Sequence, residues 1–162
     1  MYCEGHFSCL DGKTAHGLVR HCDAFEIRAV IDSHCAGLDA GLMLDGVANG
    51  IPIVACMDQA LALVGPGPAS LIYGMAPASG LFSQEDRRIL LEVMAAGLNL
   101  VSGMREFLND DAEFKAQAER HGVSIRDVRR PAALRDLRLF SGSIARVRCP
   151  RIAVLVSTGQ KA

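Results

Sequence analysis

The sequence predicts a Rossmann-like α/β domain, with a doubly wound, mainly parallel sheet. Apolar strand segments alternate with helical segments across short connections, and this alternation is typical of parallel sheets. Half of the 162 residues are apolar, Trp is absent and 16 residues are Gly. Such a composition suits close packing of helices on a sheet, and the length suffices for one core. We therefore expect ligands to bind beyond the carboxyl ends of the strands.

The first strand ends almost where the sequence begins, because the polar Glu4 and Gly5 follow Met1, Tyr2 and Cys3 directly. The sequence thus predicts a domain that starts inside its first strand. Residues 25–31 alternate and then become continuously apolar, as expected of a strand that is buried on both faces. The further strands are predicted at 51–57, 70–75, 99–103 and 123–128.

Helices are predicted between these strands from the spacing of apolar residues and from residues that favour helix ends. Ser83 is a good N-cap, and Glu85 and Asp86 follow in the first turn, where the helix dipole favours acids. Gly97 and Gly122 suit the C-terminal ends of two helices. The helices are predicted at 13–22, 40–44, 59–64, 84–96 and 106–120.

The pattern changes after Pro131, which divides the chain into two predicted domains. Residues 1–131 form the Rossmann-like domain, and residues 132–162 form a linker and the first strand of a truncated second domain. Short strands are predicted at 137–140 and 144–148, followed by a strongly apolar strand at 151–156. This predicts a short β-rich C-terminal extension.

The overall charge excludes several partners. With 17 basic and 18 acidic residues, no net field would attract nucleic acid or an anionic membrane.

No signal peptide is evident, and no apolar run approaches the ~20 residues of a membrane span. The six cysteines contain no CxxC, which favours reduced thiols in the cytoplasm. A zinc site on Cys3, His6 and Cys9 is a minority interpretation, and we expect no metal site.

Residues 2–46 hold most of the reactive side chains and predict the rim of a site. Lys13 and Thr14 follow Gly12, but a phosphate loop needs a second glycine where Phe7 stands. Lys13 and Thr14 could still bind a carboxylate or phosphate at a helix start, or form a solvent-exposed first turn. Asp32 occupies the place of a ribose-binding acid, but no GxGxxG precedes it. A nicotinamide-dependent oxidoreductase is therefore a less favoured alternative.

Ser33, His34 and Cys35 follow Asp32 on a strand-to-loop turn. An acid, an imidazole and a thiol close together can form a nucleophile with its base. Adjacent residues on such a turn usually point different ways, so we favour ligand contacts by Asp32, Ser33 and Cys35 over a catalytic pair. Asp32 could alternatively cap the loop or orient His34.

Two further segments follow predicted strands. The run of small residues from 74 to 80 would let a ligand approach the backbone at Gly74, Ala76 and Ser79. A tight strand-to-helix connection is the alternative. Arg130 ends the last strand of the domain, and its guanidinium would suit a dicarboxylate. A surface arginine in a linker is the alternative there.

Several long strings resemble the N-terminal half of the DgcN family. They are YCEGHFSCLDGKTAHGLVRH, AVIDSHCAGLDAG, LDGVANGIPIV, LIYGMAPASG, EFLNDD, and IRDVRRP followed by DLRLFSG. Members were formerly catalogued as a domain of unknown function and are described as D-glutamate N-acetyltransferases. The resemblance implies a Rossmann-like domain followed by a larger P-loop-type domain. It also implies acetyl transfer from acetyl-CoA to the amine of D-glutamate, without a tightly bound cofactor.

The resemblance predicts a substrate-binding N-terminal domain that binds D-glutamate or a similar amino acid. We expect it to be inactive alone, because the family's phosphate-loop domain does not follow residues 151–156. The reaction needs a base, cations for two carboxylates and donors for the oxyanion, and the base is not assigned. A non-catalytic regulatory module that forms a homo-oligomer is the alternative. The predicted substrate-binding residues are Lys13, Thr14, Asp32, Ser33, Cys35, Gly74, Ala76, Ser79 and Arg130.

Overall fold

The computed structural model describes residues 1–65, 67–137, 142, 146 and 148. The chain divides into two compact units, Met1–Arg130 and Pro131–Ala162. In the second unit, a short 3-10 helix spans Leu134–Asp136. The strands predicted at 137–140, 144–148 and 151–156 lie outside the described residues, apart from Leu137, Arg146 and Arg148.

The first unit contains a parallel sheet that residues 1–3 join together. Tyr2 forms parallel bridges to Ile31 on one side and to Tyr73 on the other. The neighbours in the sheet are therefore β2, β1, residues 1–3, β3, β4 and β5, and all pairings are parallel. The strands are β1 Val30–Ile31, β2 Ile53–Val54, β3 Ser70–Tyr73, β4 Asn99–Ser102 and β5 Ile125–Asp127.

This order confirms the predicted Rossmann-like fold. The first strand lies in the middle, and the chain winds outward first on one side and then on the other, as in dinucleotide-binding domains. The direction of winding reverses between residues 1–3 and β3. Open sheets of this kind bind ligands at the carboxyl ends of the two strands that flank the reversal.

Within the described residues, five α-helices connect the strands, and side-chain caps begin three of them. Asp86 N–H donates to Ser83 Oγ at 3.0 Å, and Ser83 N–H donates to Asp86 Oδ2 at 2.9 Å. This capping box begins the fourth helix as predicted. The helices are α1 Lys13–Arg20, α2 Ala40–Asp45, α3 Met57–Leu63, α4 Gln84–Ala95 and α5 Ala112–His121. Among the described helices, none is long and apolar enough to cross a membrane.

Several predicted elements have different bounds. The ladder between β1 and β2 joins Val30 to Ile53 and Ile31 to Val54, so both strands are shorter than predicted. Met57 begins α3 instead of ending a strand. The last helix begins at Ala112 because the Asp111 carboxylate accepts the amides of Glu113 and Phe114. The preceding residues form a 3-10 turn, Leu108–Asp110, instead of the predicted first turn of the helix.

Gly74 allows α1 to approach the sheet closely. Ala15 N–H donates to the Gly74 carbonyl at 3.0 Å, and Gly74 N–H donates to the Tyr2 carbonyl at 2.8 Å. A Cβ at Gly74 would lie 2.9 Å from the Ala15 Cβ and 3.0 Å from the Tyr2 carbonyl oxygen. The absence of a side chain thus brings the start of α1 to the carboxyl end of β3.

We expect Gly74→Val to lower the free energy of unfolding by about 1–3 kcal/mol, because it overpacks this contact. Gly17→Ala in α1 is the control, since its added Cβ meets no atom within 4 Å. That change should stabilise the helix by roughly 0.5–1 kcal/mol. Urea denaturation measures both effects, and equal changes in the two variants would contradict the close-packing account.

Candidate functional site

A pocket of about 450 Å³ lies where the direction of winding reverses. The loop after residues 1–3, the segment after β3 and the first turn of α4 form its wall. Its lining residues are Tyr2, Glu4, His6, Asp11, Tyr73, Met75, Pro77, Ser79, Leu81, Phe82, Ser83, Glu85 and Asp86. Both its position and its size are typical of ligand sites in this fold.

Two other cavities are present in the described part of the chain. One of about 380 Å³ is lined by residues that precede β1 and β3, including Ile27 and Pro68. The other, of about 640 Å³, is lined by residues around the end of α1, including His21 and Arg28. Neither lies at the carboxyl ends of the strands, so the pocket at the reversal is the stronger candidate.

Aromatic rings form the apolar part of the pocket. The ring centroids of Tyr2 and Tyr73 lie 6.0 Å apart, and Phe82 packs edge-on against Tyr73 at 5.0 Å. Burial raises the pKa of the Tyr73 phenol, and the nearby Asp86 carboxylate, its hydrogen-bond partner, raises this pKa further. Burial likewise raises the pKa of the Tyr2 phenol. Both phenols therefore stay protonated at neutral pH and act as hydrogen-bond donors.

The polar part of the pocket is acidic. Glu4 accepts the Ser33 amide at 3.0 Å and also the Ser33 hydroxyl, and Glu85 accepts Arg88 Nε at 3.1 Å. Asp86 is held by the α4 cap. The Asp11 carboxylate makes no side-chain hydrogen bond within the described part of the chain, and its backbone carbonyl accepts Ala76 N–H at 2.8 Å. None of the residues found to line the pocket is Lys or Arg.

This lining indicates a preference for a cationic or amine-bearing group. Carboxylates that already accept hydrogen bonds from the protein keep a fixed position, while Asp11 retains its full capacity to accept more. His6 is the single histidine among the lining residues, and an imidazole nitrogen can accept a proton. The pocket therefore combines negative charge with a group that can accept a proton.

Asp32 lies beneath the loop and not in the pocket. It is fully buried, and its carboxylate accepts Phe7 N–H at 2.8 Å and His34 N–H at 3.0 Å. The Phe7 carbonyl in turn lies 2.8 Å from His16 Nε2. The carboxylate thus holds the loop that carries His6, and both of its oxygens are engaged. This geometry does not suit ribose binding.

The neighbours of Asp32 also differ in their surroundings. Ser33 is exposed and contacts the pocket through Glu4. Cys35 is buried, and its pKa is raised by burial and by the nearby Asp32 carboxylate. Burial, with a contribution from Asp32, raises the pKa of Cys3 to about 12. Neither thiol is therefore suited to nucleophilic attack at neutral pH.

Lys13 and Thr14 do not line the pocket. Lys13 is exposed, and its amide donates to the Leu10 carbonyl. The amides of Gly12 and Ala15 donate to the carbonyls of Cys9 and Gly74. Because most of these amides donate to backbone carbonyls, few are left at the start of α1 to bind the anion that the sequence suggests there.

The remaining predicted site residues are dispersed. Ser79 lines the pocket, whereas Gly74 and Ala76 make backbone contacts with α1 and its preceding loop. Arg130 follows β5, beyond β3 and β4, where its guanidinium pairs with Asp110 and stacks on the Phe107 ring at 5.1 Å. The structure therefore brings Ser79 directly to the pocket and Ser33 indirectly through Glu4.

Several lining residues are absent from the predicted substrate-binding residues, although three of them lie in the predicted rim at 2–46; they include Glu4, His6, Asp11, Tyr73 and Asp86. Glu4 and His6 directly follow the first strand, and that position alone could have indicated them.

Within the ranges that the structure describes, no group of three His, Cys, Asp or Glu side chains is arranged to hold a metal ion. Cys3 is buried and Cys9 exposed, so the two thiols of the zinc hypothesis lie in different environments.

Comparisons with known proteins complete the description of the site. A family model described as a domain of unknown function (DUF1611_N), Rossmann-like domain, matches residues 33–131. The D-glutamate N-acetyltransferase of Tritonibacter scottomollicae is 35% identical over 66 residues, which are 41% of this chain and 20% of that protein. The crystal structure of a DUF1611 family protein from Anabaena variabilis superposes with a TM-score of 0.76 and 29% identity. That match covers 91% of this chain and 41% of the other.

Proposed function

Because the chain belongs to the DUF1611_N family of Rossmann-like domains, we propose that its pocket holds the amine of an amino acid undergoing N-acetylation. The single observation that carries this proposal is the acidic lining around His6, in which no described residue is Lys or Arg. The similarity to a D-glutamate N-acetyltransferase supports D-glutamate as the amine and acetyl-CoA as the acyl donor. The match spans about a fifth of that relative, so the relative's activity comes to this chain only as a proposal.

The proposed roles follow from the charge of each group. The Asp11 and Glu4 carboxylates attract the ammonium group, and the Tyr2 and Tyr73 phenols complete a polar wall. An amine attacks an acyl carbon only after it loses a proton, and the His6 imidazole accepts that proton. The substrate's own carboxylates would be repelled by this lining, so they face the open side of the pocket.

The acyl donor is proposed to bind mainly in the part of the longer relatives that this chain does not match. The backbone amides at the start of α1 support this assignment, because most of them donate to carbonyls and few remain to bind the phosphates of acetyl-CoA. We expect this chain alone to form no N-acetyl-D-glutamate from D-glutamate and acetyl-CoA. Robust turnover in a chromatographic product assay would contradict this placement of the donor.

A reducing compartment is proposed for the protein. The described cysteines Cys3, Cys9, Cys22, Cys35 and Cys56 are free thiols, which supports the cytoplasmic prediction.

The sheet order alone would also suit a nicotinamide-dependent oxidoreductase, but Asp32 is buried and its carboxylate already accepts two backbone amides. A regulatory module without small-molecule binding remains the alternative, and it predicts no heat of binding in the titration below.

Isothermal titration tests the proposal with D-glutamate and with glutarate, which has the same two carboxylates but lacks the amine. We expect D-glutamate to bind at least tenfold more tightly than glutarate, because the carboxylates of the pocket recognise the ammonium group. Equal affinity for both compounds, or no binding of either, would contradict recognition through the amine.

A further inference from the structure

Cys9 contacts the imidazole of His6 at the rim of the pocket. Its Sγ lies 3.6 Å from His6 Nδ1 and donates to the His6 carbonyl at 3.4 Å. Cys9 is exposed, whereas His6 is half-buried and lines the pocket. A thiol beside a base, open to solvent and next to a ligand pocket, is the arrangement of a cysteine nucleophile.

The backbone holds this pair in place. His6 N–H donates to the Cys3 carbonyl at 3.0 Å, Cys9 N–H to the His6 carbonyl at 3.1 Å, and Gly12 N–H to the Cys9 carbonyl at 3.1 Å. A Cβ at Gly12 would lie 2.4 Å from the His6 carbonyl oxygen, so the loop folds tightly onto itself. Buried Asp32 anchors the loop through Phe7.

Cys56 provides a comparison within the same molecule. It is exposed like Cys9, and each cysteine is the N-cap of a helix without a side-chain capping bond. Cys56 precedes α3, and Cys9 precedes a 3-10 turn, Leu10–Gly12, that leads into α1. Within the described part of the chain, a histidine contact is found for Cys9 and not for Cys56.

We propose that Cys9 is an acyl-accepting nucleophile that relays an acetyl group from a thioester to the amine in the pocket. This inference rests on the proposed function for the identity of the amine and the donor. It goes beyond that function, because it assigns a covalent acetyl-Cys9 intermediate and has His6 act as the base in both transfer steps.

The steps balance in atoms and protons. His6 takes the Cys9 proton, the sulfur attacks the acetyl carbonyl, the donor's carbon–sulfur bond breaks, and the departing thiolate takes the proton from His6. In the second step, His6 takes the ammonium proton and passes it to solvent, and the neutral amine attacks the acetyl-Cys9 carbonyl. His6 then takes a second proton from the attacking nitrogen, the carbon–sulfur bond to Cys9 breaks, and the thiolate receives this proton from His6. The products are the free donor thiol, the N-acetyl amino acid and one proton released to solvent.

Acylation by p-nitrophenyl acetate tests the nucleophile, because this small ester needs no donor site. Intact-mass measurement and peptide mapping would follow acetyl-Cys9 and acetyl-Cys56 in the same sample. We expect Cys9 to react at least tenfold faster than Cys56, and His6→Asn to reduce Cys9 to the rate of Cys56. Equal rates in the unaltered protein, or a rate unaffected by His6→Asn, would overturn the proposal.

Transfer from Cys9 is tested by adding D-glutamate to the acetylated protein. We expect loss of acetyl from Cys9 with formation of N-acetyl-D-glutamate, while acetyl-Cys56 persists. Rapid acylation without transfer would overturn the relay. Isothermal titration of the unaltered protein with D-glutamate separates the two claims. Failure to bind would count against the proposed function, whereas equal acylation rates of Cys9 and Cys56 would overturn the nucleophile whether or not D-glutamate binds.

Discussion

Replacing Asp32 by alanine is expected to lower the free energy of unfolding by about 3–5 kcal/mol, since it leaves two amides without an acceptor. The carboxylate is fully buried and accepts the amides of Phe7 and His34. Water cannot replace it without opening the loop, because Phe7 is itself fully buried. Urea denaturation followed by circular dichroism measures the loss.

Two further variants make the Asp32 test specific. Asp32→Asn keeps one acceptor oxygen, so we expect roughly half of the alanine effect. Asp23→Ala removes an exposed carboxylate and should change the free energy of unfolding by less than about 0.5 kcal/mol. If Asp32→Ala were as mild as Asp23→Ala, Asp32 would not anchor the loop.

Asp11→Asn is expected to weaken D-glutamate binding by about 10- to 100-fold, because a neutral amide replaces the charged partner of the ammonium group. The fold should be unaffected, since the contact with Ala76 uses the Asp11 backbone carbonyl and not its carboxylate. Isothermal titration measures the affinity, and an unchanged denaturation midpoint would show that the fold is intact.

Arg130→Gln is the matched control for Asp11→Asn. Arg130 is among the predicted substrate-binding residues as a cation for a dicarboxylate, but the structure pairs it with Asp110 beyond β4. We expect the D-glutamate affinity of this variant to be unchanged. Loss of D-glutamate binding in Arg130→Gln, with normal binding in Asp11→Asn, would show that D-glutamate binds near Arg130 and not in the pocket.

Most of the fold could be predicted from local signals. The α4 cap at Ser83 and the apolar segments at β3 and β4 act through neighbours in sequence, so their patterns are visible in the chain itself. The predicted start of α5 at residue 106 is wrong, because the Asp111 carboxylate accepts the amides of Glu113 and Phe114 and begins the helix at Ala112. The short β1 depends on pairing with distant residues, which no local pattern records.

The site was harder to predict because its residues meet only after folding. Tyr2 and Tyr73 are far apart in sequence but lie on neighbouring strands. Asp86 is a helix-capping residue in the sequence and a pocket residue in the structure. Asp32 shows the reverse, since its position favours a ligand contact while its burial makes it structural. Burial and strand order, which decide these roles, are properties of the whole domain.

The central claim is that the pocket beside His6 receives the amine of the substrate, and NMR of the histidine rings tests it most directly. The chain has five histidines, of which His6 lines this pocket, and the His6→Asn variant assigns its signal. We predict that D-glutamate shifts the His6 ring resonances at concentrations where glutarate leaves them unchanged. An equal shift with glutarate, or a D-glutamate shift confined to the other histidines, would contradict the claim.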